Sequence, residues 1–372
     1  MKHHAEFRDP LLARRVLERI HQAAEPSREY RFMEFCGGHT HAISRYGLHA
    51  LLPKNVRMIH GPGCPVCVLP MGRLDMAIAL AMNPRVTLCC YGDTLRVPGS
   101  MGNSLQKARA EGADVRMVYS ALEVLSIADQ CRDREVVFFA IGFETTTPPT
   151  AHLLLEIRRR GLSQISVLSN HVLTPPAIRA ILETPETGPK LDGLVGPAHV
   201  SVVIGTEPYA PLAGQFHMPI VIAGFEPLDV LQSVLMLIRQ VNDGRHTVEN
   251  EYTRAVFPGG NRRAREAMDE TFAIRERFEW RGLGSIPASG LKIHENFAEW
   301  DAEHRFDIPY LTVPDHKACE CAAILRGQKE PKDCKVFAKA CTPETPLGAC
   351  MVSSEGACAA YFTYGRNLRD AQ

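Results

Sequence analysis

The chain has 372 residues, room for two or three domains with cores of their own, and its 42 Lys plus Arg balance its 42 Asp plus Glu. A net charge of zero removes any global electrostatic reason to bind nucleic acid or an anionic membrane, so small molecules, metals and protein partners become the better guesses. The longest apolar runs, Val136–Ile141 and Pro219–Gly224, fall far short of the ~20 residues of a membrane helix.

The first nine residues hold no apolar signal core and carry acids, so the cytoplasm is the expected compartment. From Pro10 to Ala24, Leu12, Val16 and Ile20 repeat at helical spacing and predict one amphipathic helix. Short β-prone runs then recur at Arg31–Phe35, Val56–His60, Val86–Tyr91, Val115–Tyr119, Val136–Ile141, Ile165–Ser169, Leu191–Val195 and Pro219–Ala223. Between most of them lie helical patterns, such as Met71–Met82, Ala121–Gln130 and Ala151–Arg160. Nearly all-apolar strands alternating with helices predict an α/β class with parallel sheets. Two pairs of Gly-rich turns suggest a duplication. Val56–His60 runs into Gly61-Pro62-Gly63-Cys64 as Leu191–Val195 runs into Gly196-Pro197-Ala198-His199; Cys36-Gly37-Gly38-His39 and Gly142-Phe143-Glu144-Thr145 each follow a strand and open a helix. The expected architecture is therefore two similar α/β domains, 31–132 and 133–240, facing a cleft, with a Cys-rich iron-sulfur domain made of 1–30 and 241–372. Ligands in open α/β sheets collect at the carboxyl ends of the strands, where all four turns fall. After Gln240 the alternation fades: Glu249–Arg275 reads as charged helix, Gly282–Ser289 as turns, and Pro, Gly and Cys dominate from Pro314.

Twelve cysteines exceed what packing needs, and in a reducing compartment they point to metal or redox chemistry. Cys89, Cys90 and Cys131 lie in apolar or helical surroundings and read as small buried hydrophobes. Cys36 ends a strand and opens a helix, where the dipole is expected to lower its pKa; His39 and His41 add imidazoles that can bind metal or stabilise a thiolate. Cys64-Pro65-Val66-Cys67 places two thiols on one helical turn, and redox use is preferred to zinc because no second pair follows at zinc-ribbon spacing. Glu144, followed by three threonines, can hold a proton or orient a ligand, and His199 makes a weaker claim. Cys334, Cys341 and Cys358 are separated by six and sixteen residues, with Cys319 or Cys321 preceding them. Four such thiolates without histidine suit an iron-sulfur cluster better than a zinc finger, leaving Cys350 and one of Cys319 and Cys321 spare.

The segments Cys36-Gly37-Gly38-His39-Thr40-His41, Gly61-Pro62-Gly63-Cys64-Pro65-Val66-Cys67-Val68-Leu69-Pro70, Gly142-Phe143-Glu144-Thr145-Thr146 and Met351-Val352-Ser353-Ser354-Glu355-Gly356-Ala357-Cys358 resemble the HypD family of hydrogenase maturation factors over essentially the full length. The resemblance implies a cytoplasmic scaffold on which one iron receives two cyanides and one carbon monoxide. It implies work with a small HypC-type chaperone and a HypE-type cyanide donor, and two similar α/β domains beside a [4Fe-4S] domain. By position, Cys36 would ligate the iron with His39 nearby, Cys64 and Cys67 would be the redox-active pair, and Glu144 would line the facing side of the cleft. The family's spacing selects Cys319, Cys334, Cys341 and Cys358 as cluster ligands. An iron-sulfur-dependent thiol-disulfide oxidoreductase is the competing class, and an adaptor with a structural zinc is a third.

Overall fold

The computed structural model describes residues 6–184 and 190–365; the first five residues, on which part of the N-terminal reading rests, lie outside them. The eight apolar runs form eight strands within one or two residues of their expected limits: β1 Tyr30–Glu34, β2 Val56–His60, β3 Val86–Tyr91, β4 Asp114–Val118, β5 Glu135–Gly142, β6 Ile165–His171, β7 Gly193–Pro197 and β8 Ile220–Ala223. A ninth, β9 Val248–Asn250, runs into the start of the stretch read as helix, which is helical only at Arg262–Thr271.

Two parallel sheets result, one ordered β2-β1-β7-β8-β9 and the other β4-β3-β5-β6. The α/β reading stands, but the division at 132/133 does not follow the sheets. The chain lays down β1 and β2, leaves to build the whole of the second sheet, and returns through β7, which pairs with the open edge of β1. The turns after β2 and β7 therefore belong to one sheet and flank β1, and are not equivalent positions of two repeats. Hydrophobic runs define strands, whereas partner choice depends on contacts far apart in sequence, and so the boundary fell in the wrong place.

The helix Pro10–Ala23 starts at an Asp9 cap and buries Val16 and Ile20. These side chains pack in one core with Leu231, Val234 and Ile238 of the helix Pro227–Asn242, each contributing ~1.5 to 3 kcal/mol by burial. The helix thus belongs to the first sheet and not to the Cys-rich region expected to hold it. The segment 241–306 adds two short antiparallel pairs, Phe272–Ile274 with Leu291–Ile293 and Arg277–Trp280 with Gly284–Pro287. Phe272, Leu291 and Ile293 share a core with Val136, Phe138 and Val167 of the second sheet. Beyond Ile308, regular structure shrinks to a helix at Cys321–Leu325, single turns at Pro331–Asp333 and Ala349–Met351, and a last helix, Ala357–Tyr364. That last helix lies against the helix Gly37–Arg45, with Tyr364 edge-on to His41 at 5.2 Å. Among the described residues no helix is long and apolar enough to cross a membrane.

Candidate functional site

At the carboxyl end of β1, Cys36 caps the helix Gly37–Arg45 in an extended conformation. Glu34, fully buried, anchors this turn: it accepts the Cys36 N–H at 3.0 Å and the Thr40 hydroxyl, and lies 3.1 Å from His60 Nδ1 at the end of β2. Burial raises the Glu34 pKa. The neighbouring turn is equally close. Gly37 N–H donates to Gly63 O at 3.0 Å, and a Cβ on Gly63 would overlap the backbone of Cys36. A Cβ on Gly37 would overlap Glu355, whose carboxylate therefore stands against the Cys36 turn. These two glycines are what let three chain segments meet at one thiol.

The thiol itself departs from expectation. The helix dipole and backbone N–H groups do favour its thiolate, but burial, followed by the charges of Glu355 and Glu34, pushes the Cys36 pKa up instead of down. His39 Nε2 lies 2.9 Å from Ala223 O and 3.0 Å from Gly224 O. Carbonyls only accept, so Nε2 carries the proton and Nδ1 presents a lone pair. That Nδ1 is buried and without a partner, and burial holds the ring neutral with a pKa down to about 4. Phe225 lies over the His39 ring at 4.8 Å and also against His199 at 3.9 Å. His41 turns away, 3.4 Å from Ser354 O.

Cys64 caps the single-turn helix Pro65–Val68 and accepts the Cys67 N–H at 3.3 Å, so both thiols stand on one turn, reduced and buried. Burial and the neighbouring thiols of Cys350 and Cys64 raise the Cys67 pKa. Cys350, expected to be spare, stands between this pair and the C-terminal thiols. Hydrogen bonds from Cys321 and Cys67 hold its pKa below the ordinary thiol range. Cys321 also exchanges hydrogen bonds with Cys319 and Cys358. Cys341 accepts the Leu347 N–H at 3.4 Å and feels the charges of Cys321 and Cys319. Cys334 packs on the same core, with its thiol toward Glu320. All are free thiols, and a Cβ on Gly348 would strike Cys319 Sγ, so backbone closes directly over the sulfurs. An all-thiol donor set of this kind fits an iron-sulfur cluster. Among the described residues, no three His, Cys, Asp or Glu side chains converge tightly enough for a single ion.

Glu144 follows β5 and is fully buried, its two oxygens accepting the Thr174 N–H and hydroxyl at 2.8 Å each. It thereby pins the first turn of the helix Thr174–Leu182 to the end of the second sheet. Burial outweighs these hydrogen bonds and raises its pKa to about 7. The threonines mostly cap the turn: Thr146 and Thr147 donate to Phe143 O at 3.2 and 3.0 Å. The buried Tyr209 phenol, 3.2 Å from Ser201 Oγ, feels the charges of both Glu144 and Cys36, which places it between the two loops.

Glu34, His60, Tyr209 and Phe225 were not legible as site residues. Glu34 stands two positions before Cys36, where a carboxylate ending a strand was a usable signal; the other three approach through tertiary folding alone. The sequence profile described as HypD, hydrogenase formation hypA family, matches residues 11–365. Hydrogenase maturation factor HypD1 of Bradyrhizobium diazoefficiens is 61% identical over 376 residues, covering 100% of this chain and 99% of the relative. Hydrogenase maturation factor HypD of Cupriavidus necator is 60% identical over 371 residues, covering 98% of each chain. The Escherichia coli K12 protein of the same name is 44% identical over 371 residues, covering 98% of this chain and 99% of its own.

Proposed function

This chain belongs to the HypD family of hydrogenase maturation factors, and from that premise we propose that it is a cytoplasmic scaffold on which an iron ion acquires two cyanides and one carbon monoxide for a nickel-iron hydrogenase. The iron is cargo, bound by the Cys36 thiolate, whose soft sulfur suits low-spin iron carrying such ligands. The observation that carries this reading is the Gly37 N–H to Gly63 O hydrogen bond, which joins the Cys36 turn to the turn bearing Cys64 and Cys67. A thiol that binds metal and a dithiol that can release two electrons and two protons on closing to a disulfide are thus one backbone contact apart.

Because the Cys36 thiol is held protonated, iron binding must displace its proton, and the Glu355 and Glu34 carboxylates are the acceptors beside it. The neutral His39 offers its Nδ1 lone pair nearby, and Glu144 with Thr174 shapes the facing side. Cys319, Cys334, Cys341 and Cys358 would hold a [4Fe-4S] cluster, which supplies one-electron chemistry when bound. A HypC-type chaperone and a HypE-type cyanide donor are the partners this role requires.

The contact of Cys350 with both Cys67 and Cys321 also favours a second reading, an iron-sulfur-dependent thiol-disulfide oxidoreductase acting on other proteins. Infrared spectra of the chain isolated with its HypC-type partner separate the two. Cyanide and carbonyl bands in the wild type that vanish in Cys36→Ser support the scaffold. Bands that persist in Cys36→Ser overturn the role of Cys36. A wild type without bands that turns over disulfides supports the oxidoreductase.

A further inference from the structure

Arg281 follows the strand Arg277–Trp280 and is buried to the tip, with 2% of its side chain exposed. A buried guanidinium is expected to spend all its N–H donors, since each one left without an acceptor adds to the desolvation penalty. Arg281 does not. Its Nε donates to Asp315 Oδ1 at 2.5 Å, while neither Nη1 nor Nη2 has a hydrogen-bond partner.

The surroundings identify what is missing. The Arg281 N–H donates to Val68 O at 2.8 Å, immediately after Cys67, and the adjacent Gly282 packs so closely on the helix Cys321–Leu325 that its Cβ position lies 2.9 Å from Ala322 Cα. Asp315 stands four residues before Cys319 on the segment that leads into it. The guanidinium is therefore wedged between the C-x-x-C turn and the C-terminal thiols, with donors pointing where this chain supplies no acceptor. A cluster ligated by four thiolates carries net negative charge and presents sulfur acceptors.

We infer that Arg281 is the counter-charge and N–H donor of the metal cluster held by Cys319, Cys334, Cys341 and Cys358, setting its reduction potential, an inference that rests on the cluster assignment proposed above. A positive charge favours the reduced, more negative cluster, so Arg281 raises the potential and Asp315, by neutralising it, limits the effect. Arg281 is thus a positioning residue for redox and not a ligand.

The test is a redox titration of the full-length chain, purified anaerobically and followed by absorbance and electron paramagnetic resonance, with iron, sulfide and zinc measured on the same samples. Arg281→Gln should keep wild-type iron and sulfide but shift the midpoint negative, by about the 59 mV that corresponds to a tenfold change in a one-electron equilibrium. Arg281→Lys, which keeps the charge, should recover at least half of that shift, and Asp315→Asn should move the midpoint in the positive direction. If Arg281→Gln does not fold, Asp315→Asn decides. Unchanged midpoints in every soluble variant with full iron and sulfide would overturn the role of Arg281 alone. A wild type holding zinc, or no sulfide, would overturn the cluster assignment and this inference with it.

Discussion

The Cys36 turn and the Cys-rich segment 308–356 are both thiol-bearing loops, but they are held by opposite means. The first is fixed by backbone: the end of a central strand, a helix cap, Glu34 bonded to three partners, and glycines through which neighbouring turns touch. The second has one short helix and isolated turns, and its apolar core is shared with cysteine sulfurs. A loop built like the first keeps its shape without a ligand, whereas one built like the second would take its shape from the cluster proposed for it.

The largest expected effect breaks the second region alone. Replacing Cys334, Cys341 or Cys358 by Ala should abolish the brown chromophore and, because metal binding can contribute on the order of 10 kcal/mol to such a fold, strip residues 316–352 of slow amide exchange. Hydrogen exchange should show β1 to β8 retaining protection. Uniform loss across the sheets would mean that the two regions are not independent.

Glu144 tests the sheet-held side by titration. Its folded pKa of about 7 lies above the ordinary 4.5, so the folded state binds the proton more tightly. The stability this contributes is fully present below pH 4.5 and is lost as pH rises through 7, about 3 kcal/mol in all. Urea midpoints of wild type and Glu144→Gln should diverge over that window, with the variant flat, whether or not the cluster is present. Parallel curves would show that Glu144 does not titrate there.

Gly63→Ala sharpens the contrast further, since its Cβ would overlap the Cys36 backbone. A cost of roughly 1 to 3 kcal/mol in urea unfolding is expected from such overpacking, with the cluster absorption unchanged. The smallest effect belongs to Cys36→Ser. Ser is a favoured helix cap, so stability should stay within about 1 kcal/mol of wild type while the cyanide and carbonyl bands disappear.

All eight strands of the alternating region could be read because a strand buried on both faces is a continuous apolar run, as Val136–Ile141 is. Their grouping into sheets could not, because β7 pairs with β1 across more than 150 positions and nothing in either segment names the other. Cys36 was correctly placed at the start of a helix, and Cys64 with Cys67 on one helical turn, a local property of Gly and Pro spacing. The direction of the Cys36 pKa was missed, since burial and Glu355 are supplied by distant chain. Cys350 was set aside by counting ligands, a method blind to a thiol whose place is between two groups.

The return of the chain through β7 has a consequence for the order of synthesis. The carbonyls that fix the His39 tautomer belong to residues 184 and 185 positions later, and Glu355 comes 319 positions after Cys36. The second sheet, contiguous from β3 to β6, can form on the ribosome while the β1–β2 pair waits for β7. A nascent chain therefore exposes Cys36 long before the surroundings that enclose it exist. Folding order alone delays completion of the iron site proposed above until Glu355 has been made.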